Sequence, residues 1–240
     1  MTSARDYNAA RIASGELTID HVTELVRSWQ DRKGLVVDGK AGPMTLESIA
    51  KAAPRELAVV DGWLVGPGVT RIDAHASWFG GPIAGGRPRG IVAHFTATGP
   101  GTALAMARRR QHPYGSDPDD RLASWHVTVE SDGSLVQMIA LDRVAWHAGS
   151  STARKVPGLG WANQTTTGVE LVGFGRDFPP AQVSAAKSVW RALVQAYEIP
   201  REHAMIQHSE IDPIRRDDPG PTWMGQHADA VLAHAYLETT

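Results

Sequence analysis

The sequence contains no cysteine, and this absence removes several kinds of chemistry at once. A chain without thiols has no disulfide bonds, no zinc site built on thiolates and no cysteine nucleophile. Any bound metal must therefore be held by histidine and carboxylate side chains. An excess of charge of one sign is also lacking. The formal net charge of −2 at pH 7 gives no reason to expect binding to nucleic acid or another polyanion.

Long hydrophobic runs are absent as well. No run approaches the roughly 18 to 20 apolar residues that span a bilayer, and the first residues lack the apolar core of a secretion signal. We therefore expect no membrane insertion and a chain that is made and kept in the cytoplasm. With 42% hydrophobic and 21% charged residues, its 240 positions suit one sizeable soluble domain and a small one.

The first part of the chain, residues 1–53, has the pattern of a small helical domain. Apolar side chains recur at helical spacing of three and four positions at Val22, Leu25, Val26 and Trp29. A turn at Asp38-Gly39 separates this helix from a second one. Residues 54–66 contain Pro, Asp and Gly, and we interpret them as a linker or as the first edge of the next domain, which occupies residues 67–240.

In the larger domain, short strand patterns alternate with helical ones. Residues 91–93 are typical of a short buried strand. The runs 124–129 and 135–139 flank an Asp-Gly turn and predict a hairpin. Residues 168–173 predict another strand, and residues 182–197 have one apolar face at helical spacing, as does a C-terminal segment. This alternation indicates an α/β domain.

The segment 206–223, IQHSEIDPIRRDDPGPTW, combines a histidine and an aspartate that could hold a cation. His208 follows an apolar run, as expected at the end of a strand, and Asp218 precedes a Pro-Gly-Pro run that fixes the backbone. Imidazole nitrogen and carboxylate oxygen are both good zinc ligands, but a catalytic zinc needs a third protein ligand. The alternative is a surface loop in which Asp218 caps the helix that begins near Thr222.

Other polar residues have two interpretations each. His94 follows a hydrophobic strand, and such a histidine is more often a satisfied core residue than a ligand. Glu170 lies between two apolar strand residues, where a carboxylate is costly unless it is paired or functional. Trp146 and His147 in VAWHAG line a cleft for a polar ligand or plug the edge of the domain.

The N-terminal pattern VRSWQDRKGLVVDGKAGPMTLESI resembles the peptidoglycan-binding domain of cell-wall hydrolases. The positions that carry the resemblance are Gln30, Gly34, Leu35, Asp38, Gly39, Gly42 and Thr45. The aromatic residue that is usual in this family's DGxFG motif is replaced by Ala41. The resemblance implies that this domain contacts the cell wall.

The larger domain resembles the type 2 N-acetylmuramoyl-L-alanine amidases. IVAHFTAT, SWHVTVESDGSLVQM, VAWHAG, TTTGVELVG and HSEIDPIRRDDPGP match blocks of that family in the same order, over roughly residues 88–225. The resemblance implies a mixed central β-sheet flanked by helices, with Zn²⁺ at one edge of the sheet. It also implies that the zinc ligands are His94, His208 and Asp218.

The same resemblance implies roles for other residues. Glu170 stands at the acidic position of the family and would act as general base on a water and then protonate the leaving amine. Arg216 stands where many members have a lysine that faces the developing oxyanion, although a solvated surface arginine is the alternative. Four residues are assigned to substrate binding or to support of the metal ligands: Trp125, which replaces a tyrosine of some members, His126, Trp146 and His147.

The function implied by these resemblances is a zinc-dependent amidase that cleaves the bond between the lactyl group of N-acetylmuramic acid and L-alanine in peptidoglycan. Because the chain combines an apparent wall-binding domain with no export signal, we expect a phage or prophage endolysin that reaches the wall after release. A monomer is expected. The alternatives are a peptidoglycan-recognition module without catalysis, and an amidase that recycles soluble muropeptides in the cytosol.

Overall fold

The computed structural model describes residues 18–45, 56–74, 78–107, 123–149, 155–213 and 217–237. The chain divides into two compact units, one from Thr2 to Arg55 and one from Glu56 to Thr240. In the ranges that are described, no helix is long and apolar enough to cross a membrane.

The N-terminal unit contains helix α1, Ile19–Arg32, whose first turn is capped by the Thr18 side chain. Gln30 is only 2% exposed and holds the loop that follows the helix. Its amide nitrogen donates to Asp38 Oδ1 and Thr45 Oγ1, and its amide oxygen accepts from the Gly39 N–H. These bonds give a physical reason for the glutamine and the Asp-Gly pair in the sequence pattern, while wall binding by this unit stays a prediction.

The larger unit contains strands and helices that alternate along the chain. Its strands are β1 (Ala58–Val60), β2 (Trp63–Val65), β3 (Val69–Arg71), β4 (Phe79–Pro82), β5 (Gly90–Phe95), β6 (Val127–Val129), β7 (Leu135–Gln137), β8 (Arg143–Ala145), β9 (Lys155–Val156), β10 (Gly160–Trp161), β11 (Thr166–Leu171) and β12 (Ile206–Gln207). Its helices are α2 (Thr102–Ala107), α3 (Ala162–Thr165), α4 (Pro180–Tyr197), α5 (His208–Ile211), α6 (Pro221–Gln226) and α7 (Ala228–Ala235).

The main sheet has the strand order β12-β5-β11-β6-β7-β3. The pairs β12–β5, β5–β11 and β11–β6 are parallel, whereas β6 and β7 form an antiparallel hairpin around the Asp-Gly turn. Strand β3 then pairs parallel with β7. This mixed sheet with flanking helices confirms the predicted fold class and the predicted hairpin.

Residues 54–66 were interpreted as a linker or as the first edge of the next domain, and most of this segment forms an edge of the larger unit. Ala58 pairs with Val65, and Val60 with Trp63, so that β1 and β2 make an antiparallel hairpin. Leu64 is 3% exposed and belongs to the main core. The linker assignment of residues 54–66 is therefore corrected for this hairpin, because burial of Leu64 attaches the segment to the larger unit.

The two faces of the sheet have different surroundings. On one face, alternate strand residues such as Ile91, Ala93, Val127 and Val169 pack against α4 and α7 around the buried Trp190 and Trp223. The opposite face carries His94, Thr128 and Glu170 in one row, because these residues are register partners in neighbouring strands. Two smaller cores also lie off the main one. One contains Trp78, Trp125, Val136, Met138, Ile139 and Ala145, and the other contains Val92, Val156, Leu159, Ile206 and Ile211.

Candidate metal centre

His94 reaches the centre from the fifth position of β5. Its neighbours Ile91 and Ala93 point into the helix-covered core, and the alternation of a strand turns His94 to the opposite face. There it is the register partner of Glu170 on β11, one strand spacing of about 4.8 Å away. From the sequence alone, His94 could have been an ordinary core residue. Its register with Glu170 places a second polar side chain next to it on the same face of the sheet.

His208 and Asp218 arrive from the other side of β5. Strand β12 pairs parallel with β5 through Ile206↔Val92 and Gln207↔Ala93, so the next residue, His208, lies beside His94. The Ser209 N–H donates to the Asp218 carbonyl at 3.1 Å and holds the loop against the start of α5. The helix that follows begins at Pro221 with Gly220 as its N-cap and no side-chain cap, so Asp218 does not cap it.

The three side chains converge on one point. His94 Nδ1 lies 3.0 Å from His208 Nδ1 and 2.8 Å from Asp218 Oδ2, and the distance from His208 Nδ1 to Asp218 Oδ2 is 3.0 Å. All three residues are buried, with exposed fractions of 1%, 2% and 6%. They form a group that could hold a metal ion.

The donor set of this group fits zinc. Two imidazole nitrogens and one carboxylate oxygen are the ligand types that zinc takes in catalytic sites with three protein ligands. Burial favours a neutral Asp218, but hydrogen bonds to His208 and His94 and their charges when protonated outweigh burial and hold the pKa of Asp218 below its ordinary value. The carboxylate is thus ready to face a cation near neutral pH.

Glu170 and Arg216 differ in how far they can be placed. Glu170 is half-buried on the same sheet face as His94, between the buried Val169 and Leu171. Its position beside the metal group agrees with the role that the sequence implies, and the role itself stays a proposal. Arg216 lies outside the described residues.

His126 is enclosed by the protein. It is fully buried, its Nδ1 accepts from the Gly168 N–H at 3.0 Å, and its Nε2 lies 2.9 Å from the Arg143 carbonyl. Burial lowers the pKa of His126 to about 4, although the bond to the Arg143 carbonyl opposes that shift. Since both ring nitrogens are used inside the protein, the surroundings of His126 favour support of the metal ligands over substrate binding, the two roles expected for it, and that role stays a prediction.

Trp125 is also turned inward. It is 7% exposed in the second core, and its indole N–H donates to Thr128 Oγ1 at 2.6 Å. This burial favours a supporting role for Trp125 over a substrate contact, and its role stays a prediction. Trp146, which is half-buried, retains accessible surface, and a substrate contact by it stays a prediction.

His147 lies behind the metal group. Its Nδ1 is 3.1 Å from His94 Nε2, and its own exposure is 7%. Burial, and then repulsion from His94, His126 and His208 when these rings are protonated, lowers the pKa of His147 well below its ordinary value. Gly168 makes room for it: a Cβ on that residue would lie 2.5 Å from His147 Cγ. Sequence reasoning gave Gly168 and Thr166 no role, although both lie in the TTTGVELVG block.

The fold and the three candidate ligand residues are those of an α/β protein with a candidate metal site. Comparison with known proteins identifies the family within this broad class. The larger unit superposes on the crystal structure of an AmpD selenomethionine derivative with a TM-score of 0.59 and 25% identity, over 72% of this chain and 98% of that one. In sequence, the chain is 33% identical over 113 residues to the 1,6-anhydro-N-acetylmuramyl-L-alanine amidase AmpD of Escherichia coli (strain K12). It is also 33% identical over 100 residues to the N-acetylmuramoyl-L-alanine amidase AmiD of the same organism.

Residues 84–221, more than half of the chain, match the family model of N-acetylmuramoyl-L-alanine amidases, Amidase_2. The chain belongs to this family. The AmpD match covers 47% of this chain and 60% of the length of that relative, and the AmiD match covers 38% and 35%. The family match leaves residues 18–45 outside, so it does not bear on the N-terminal unit.

Proposed function

We propose that the protein is a zinc-dependent N-acetylmuramoyl-L-alanine amidase that hydrolyses the lactyl–L-alanine amide bond of peptidoglycan. The observation that carries the proposal is the convergence of His94, His208 and Asp218 within 3.0 Å of one another, inside the segment that matches the amidase family. Glu170 occupies the neighbouring place in the same row of the sheet. The site thus contains three candidate metal ligands and a carboxylate that can transfer protons.

In this proposal each side chain has one task. His94, His208 and Asp218 would hold the zinc ion, which when bound would supply a Lewis acid to the amide group. The Glu170 carboxylate takes a proton from the attacking water and returns it to the nitrogen of the leaving L-alanine amine. Arg216 supplies positive charge to the oxyanion that develops on the carbonyl oxygen, and Trp146 contacts the substrate beside it.

The test combines metal content with product analysis on purified cell walls. Wild type is expected to bind one zinc per chain and to release new L-alanine amino groups. Glu170→Gln should retain the zinc and lose about 10²- to 10⁴-fold in kcat, because only the proton carrier is changed. Asp218→Ala should lose both zinc and activity.

The opposite result would identify a binding module. A wild-type protein that contains no zinc, and that stays inactive after zinc is added, would show that the ligand group is a relic and that the chain recognises peptidoglycan without cleaving it. The presence of all three ligand residues argues against this alternative, since the group is already assembled in the fold.

The polymeric wall is the substrate form that the N-terminal unit favours. Its resemblance to peptidoglycan-binding domains, and the Gln30 bonds that stabilise its loop, support attachment to the polymer. Gln30→Ala in the full chain should weaken binding to purified walls and leave turnover of soluble muropeptide unchanged. Asp31→Ala, at an exposed neighbouring position, serves as control. Equal wall binding by all three proteins would remove this support.

An endolysin role adds a further expectation. Cells that express the protein should remain intact until the membrane is permeabilised, and should then lyse. Lysis without permeabilisation, or none after it, would argue against the endolysin role and leave the amidase proposal in place.

A second candidate substrate is soluble anhydromuropeptide, in a recycling role. The supporting observation is the likeness of the larger unit to AmpD in both sequence and structure. The kcat/KM for a soluble anhydromuropeptide and the rate on purified walls, measured on one preparation, separate the two candidates. A large preference for the soluble compound would favour recycling.

A further inference from the structure

A chain of polar contacts leads from the backbone of β11 to the metal group. His147 Nε2 lies 3.3 Å from the Thr166 carbonyl oxygen and 3.4 Å from Thr166 Oγ1. On its other side, His147 Nδ1 lies 3.1 Å from His94 Nε2. His94 Nδ1 in turn faces His208 and Asp218. Two imidazole rings therefore connect a strand to the metal ligands.

The hydrogen positions in this series of contacts follow from Thr166, which is at the end distant from the metal group. The Thr166 hydroxyl donates its hydrogen to the Ala162 carbonyl at 2.7 Å, so its oxygen presents a lone pair to His147. The Thr166 carbonyl can only accept. Because both neighbours of His147 Nε2 are acceptors, this nitrogen must carry the hydrogen.

The assignment then passes along the chain to the metal group. A neutral His147 with hydrogen on Nε2 has a bare Nδ1, which accepts from a hydrogen on His94 Nε2. With a metal ion bound, His94 would then direct the lone pair of Nδ1 toward the side of the ring where His208 Nδ1 and Asp218 Oδ2 lie. That is the protonation state in which an imidazole can bind a metal through Nδ1.

The space that His147 occupies fits a planar ring in this orientation. Its ring is 5.3 Å from the His94 ring and 5.8 Å from the His126 ring, in edge-to-face arrangements. Gly168 forms the remaining wall, where a side chain would overlap the imidazole. The backbone of Gly168 needs no glycine conformation of its own, because its φ lies outside the positive range, so the space for His147 accounts for the glycine.

We infer that His147 is a positioning residue, which fixes the tautomer and ring orientation of His94 so that His94 Nδ1 is the metal-binding atom. The inference rests on the proposed zinc function. It replaces a substrate contact as the task of His147. Substitution of a residue that hydrogen-bonds a metal-binding histidine typically lowers metal affinity by about 10- to 100-fold.

The test uses the full chain with two substitutions at one position. In His147→Asn, the amide oxygen takes the place of Nδ1 as an acceptor for His94. In His147→Leu, a side chain of similar size accepts nothing. His227→Leu, on a half-buried histidine that packs on Phe178 and Trp223, is the matched control.

Zinc affinity is measured by competition with a chromophoric chelator. The Leu variant at position 147 is expected to lose about 10- to 100-fold, the Asn variant to recover most of that loss, and the control to match wild type. In parallel, long-range ¹H–¹⁵N correlation spectra of zinc-loaded, ¹⁵N-histidine-labelled protein report the tautomer directly. His94 should carry its hydrogen on Nε2 in wild type and in His147→Asn, and lose that preference in His147→Leu.

The outcomes are separable. A wild-type spectrum with the His94 hydrogen on Nδ1 would overturn the inference even if the substituted proteins fail to fold. Equal zinc affinity in wild type and His147→Leu would overturn it too. Wild type that binds no zinc would contradict the proposed function and the inference together, whereas zinc binding that is unchanged in His147→Leu would contradict the inference alone.

Discussion

At the scale of single residues, the metal centre depends on small groups that make no contact with a metal themselves. Gly168 provides the space that His147 fills, and its N–H donates to His126. One residue on β11 thus serves two buried histidines. The His147 ring could not keep its place if that position carried a side chain, because interiors are too closely packed to absorb an added methyl group freely.

Replacement of Gly168 by alanine should therefore be costly. The added Cβ would come within 2.5 Å of the His147 ring, and we expect a loss of about 1–3 kcal/mol in the free energy of unfolding together with weaker zinc binding. Gly81→Ala is the control, because Gly81 also lies in a strand and has no atom within 4 Å of an added Cβ. Urea titration of both variants checks this, and equal stability would contradict it.

His126 makes the stability of the protein depend on pH. Its pKa falls from 6.5 in the unfolded chain to about 4 in the fold, so only the unfolded chain takes up its proton between these values. Stability from this group is thus complete above pH 6.5 and decreases as the pH is lowered toward 4, by about 3 kcal/mol at about 1.36 kcal/mol per pH unit. The loss appears in the free energy of unfolding, measured by urea titration at several pH values.

The comparison variant for this prediction is His126→Gln, which cannot titrate. It should be less stable than wild type at pH 7.5, because the Gly168 N–H loses its acceptor, and its stability should depend less on pH between 6.5 and 4. Parallel pH profiles of the two proteins would show that His126 does not contribute.

At the scale of elements, helix α4 holds the strands that carry the site. Gln182, fully buried in its first turns, donates from its amide nitrogen to the carbonyls of Val129 and Val172, at the ends of β6 and β11. Both bonds are 2.9 Å long. They join the helix-covered face to the strand ends near Glu170.

Gln182→Leu should loosen this junction. The substitution leaves two buried carbonyls without their side-chain donor, and we expect a loss of about 1–3 kcal/mol for each. Ser184→Ala, on the exposed side of the same helix, should change stability by less than about 0.5 kcal/mol. Thermal and urea unfolding of the two variants would test the difference. Similar free energies of unfolding for both would show that the Gln182 hydrogen bonds do not stabilise this junction.

Most elements were predictable because their patterns are local. The hairpin β6–β7 follows from its Asp-Gly turn, and α4 begins two residues before the predicted start, at Pro180. β11 begins at Thr166, two residues earlier than predicted, because pairing with β5 already starts at Thr166↔Gly90. The C-terminal helical segment is divided at His227 into α6 and α7. Such boundaries depend on partners that are distant in sequence.

At the scale of the whole molecule, the metal group links distant parts of the chain. His94 is separated from His208 by 114 positions and from Asp218 by 124. The unfolded chain cannot present these side chains together, so a metal that binds here favours the folded state.

Removal of zinc should thus lower stability. At a free zinc concentration 100 times the dissociation constant, the gain is about 2.7 kcal/mol, and a chelator should remove it. Asp218→Ala should show the same melting temperature with and without chelator. Thermal unfolding of both proteins in the two conditions provides the measurement, and a wild-type melting temperature that does not respond to chelator would contradict the zinc site.

The sequence by itself indicated the fold class and, through the family resemblance, the candidate metal ligands His94, His208 and Asp218, because motifs in a fixed order carry this information. Only the tertiary structure decided that Trp125 and His126 face inward and that His147 lies behind His94. The physical reason is that the direction of a side chain depends on strand register and on the space left by other elements. At Gly168 and Thr166, that space and those acceptors come from residues whose importance no local pattern reveals.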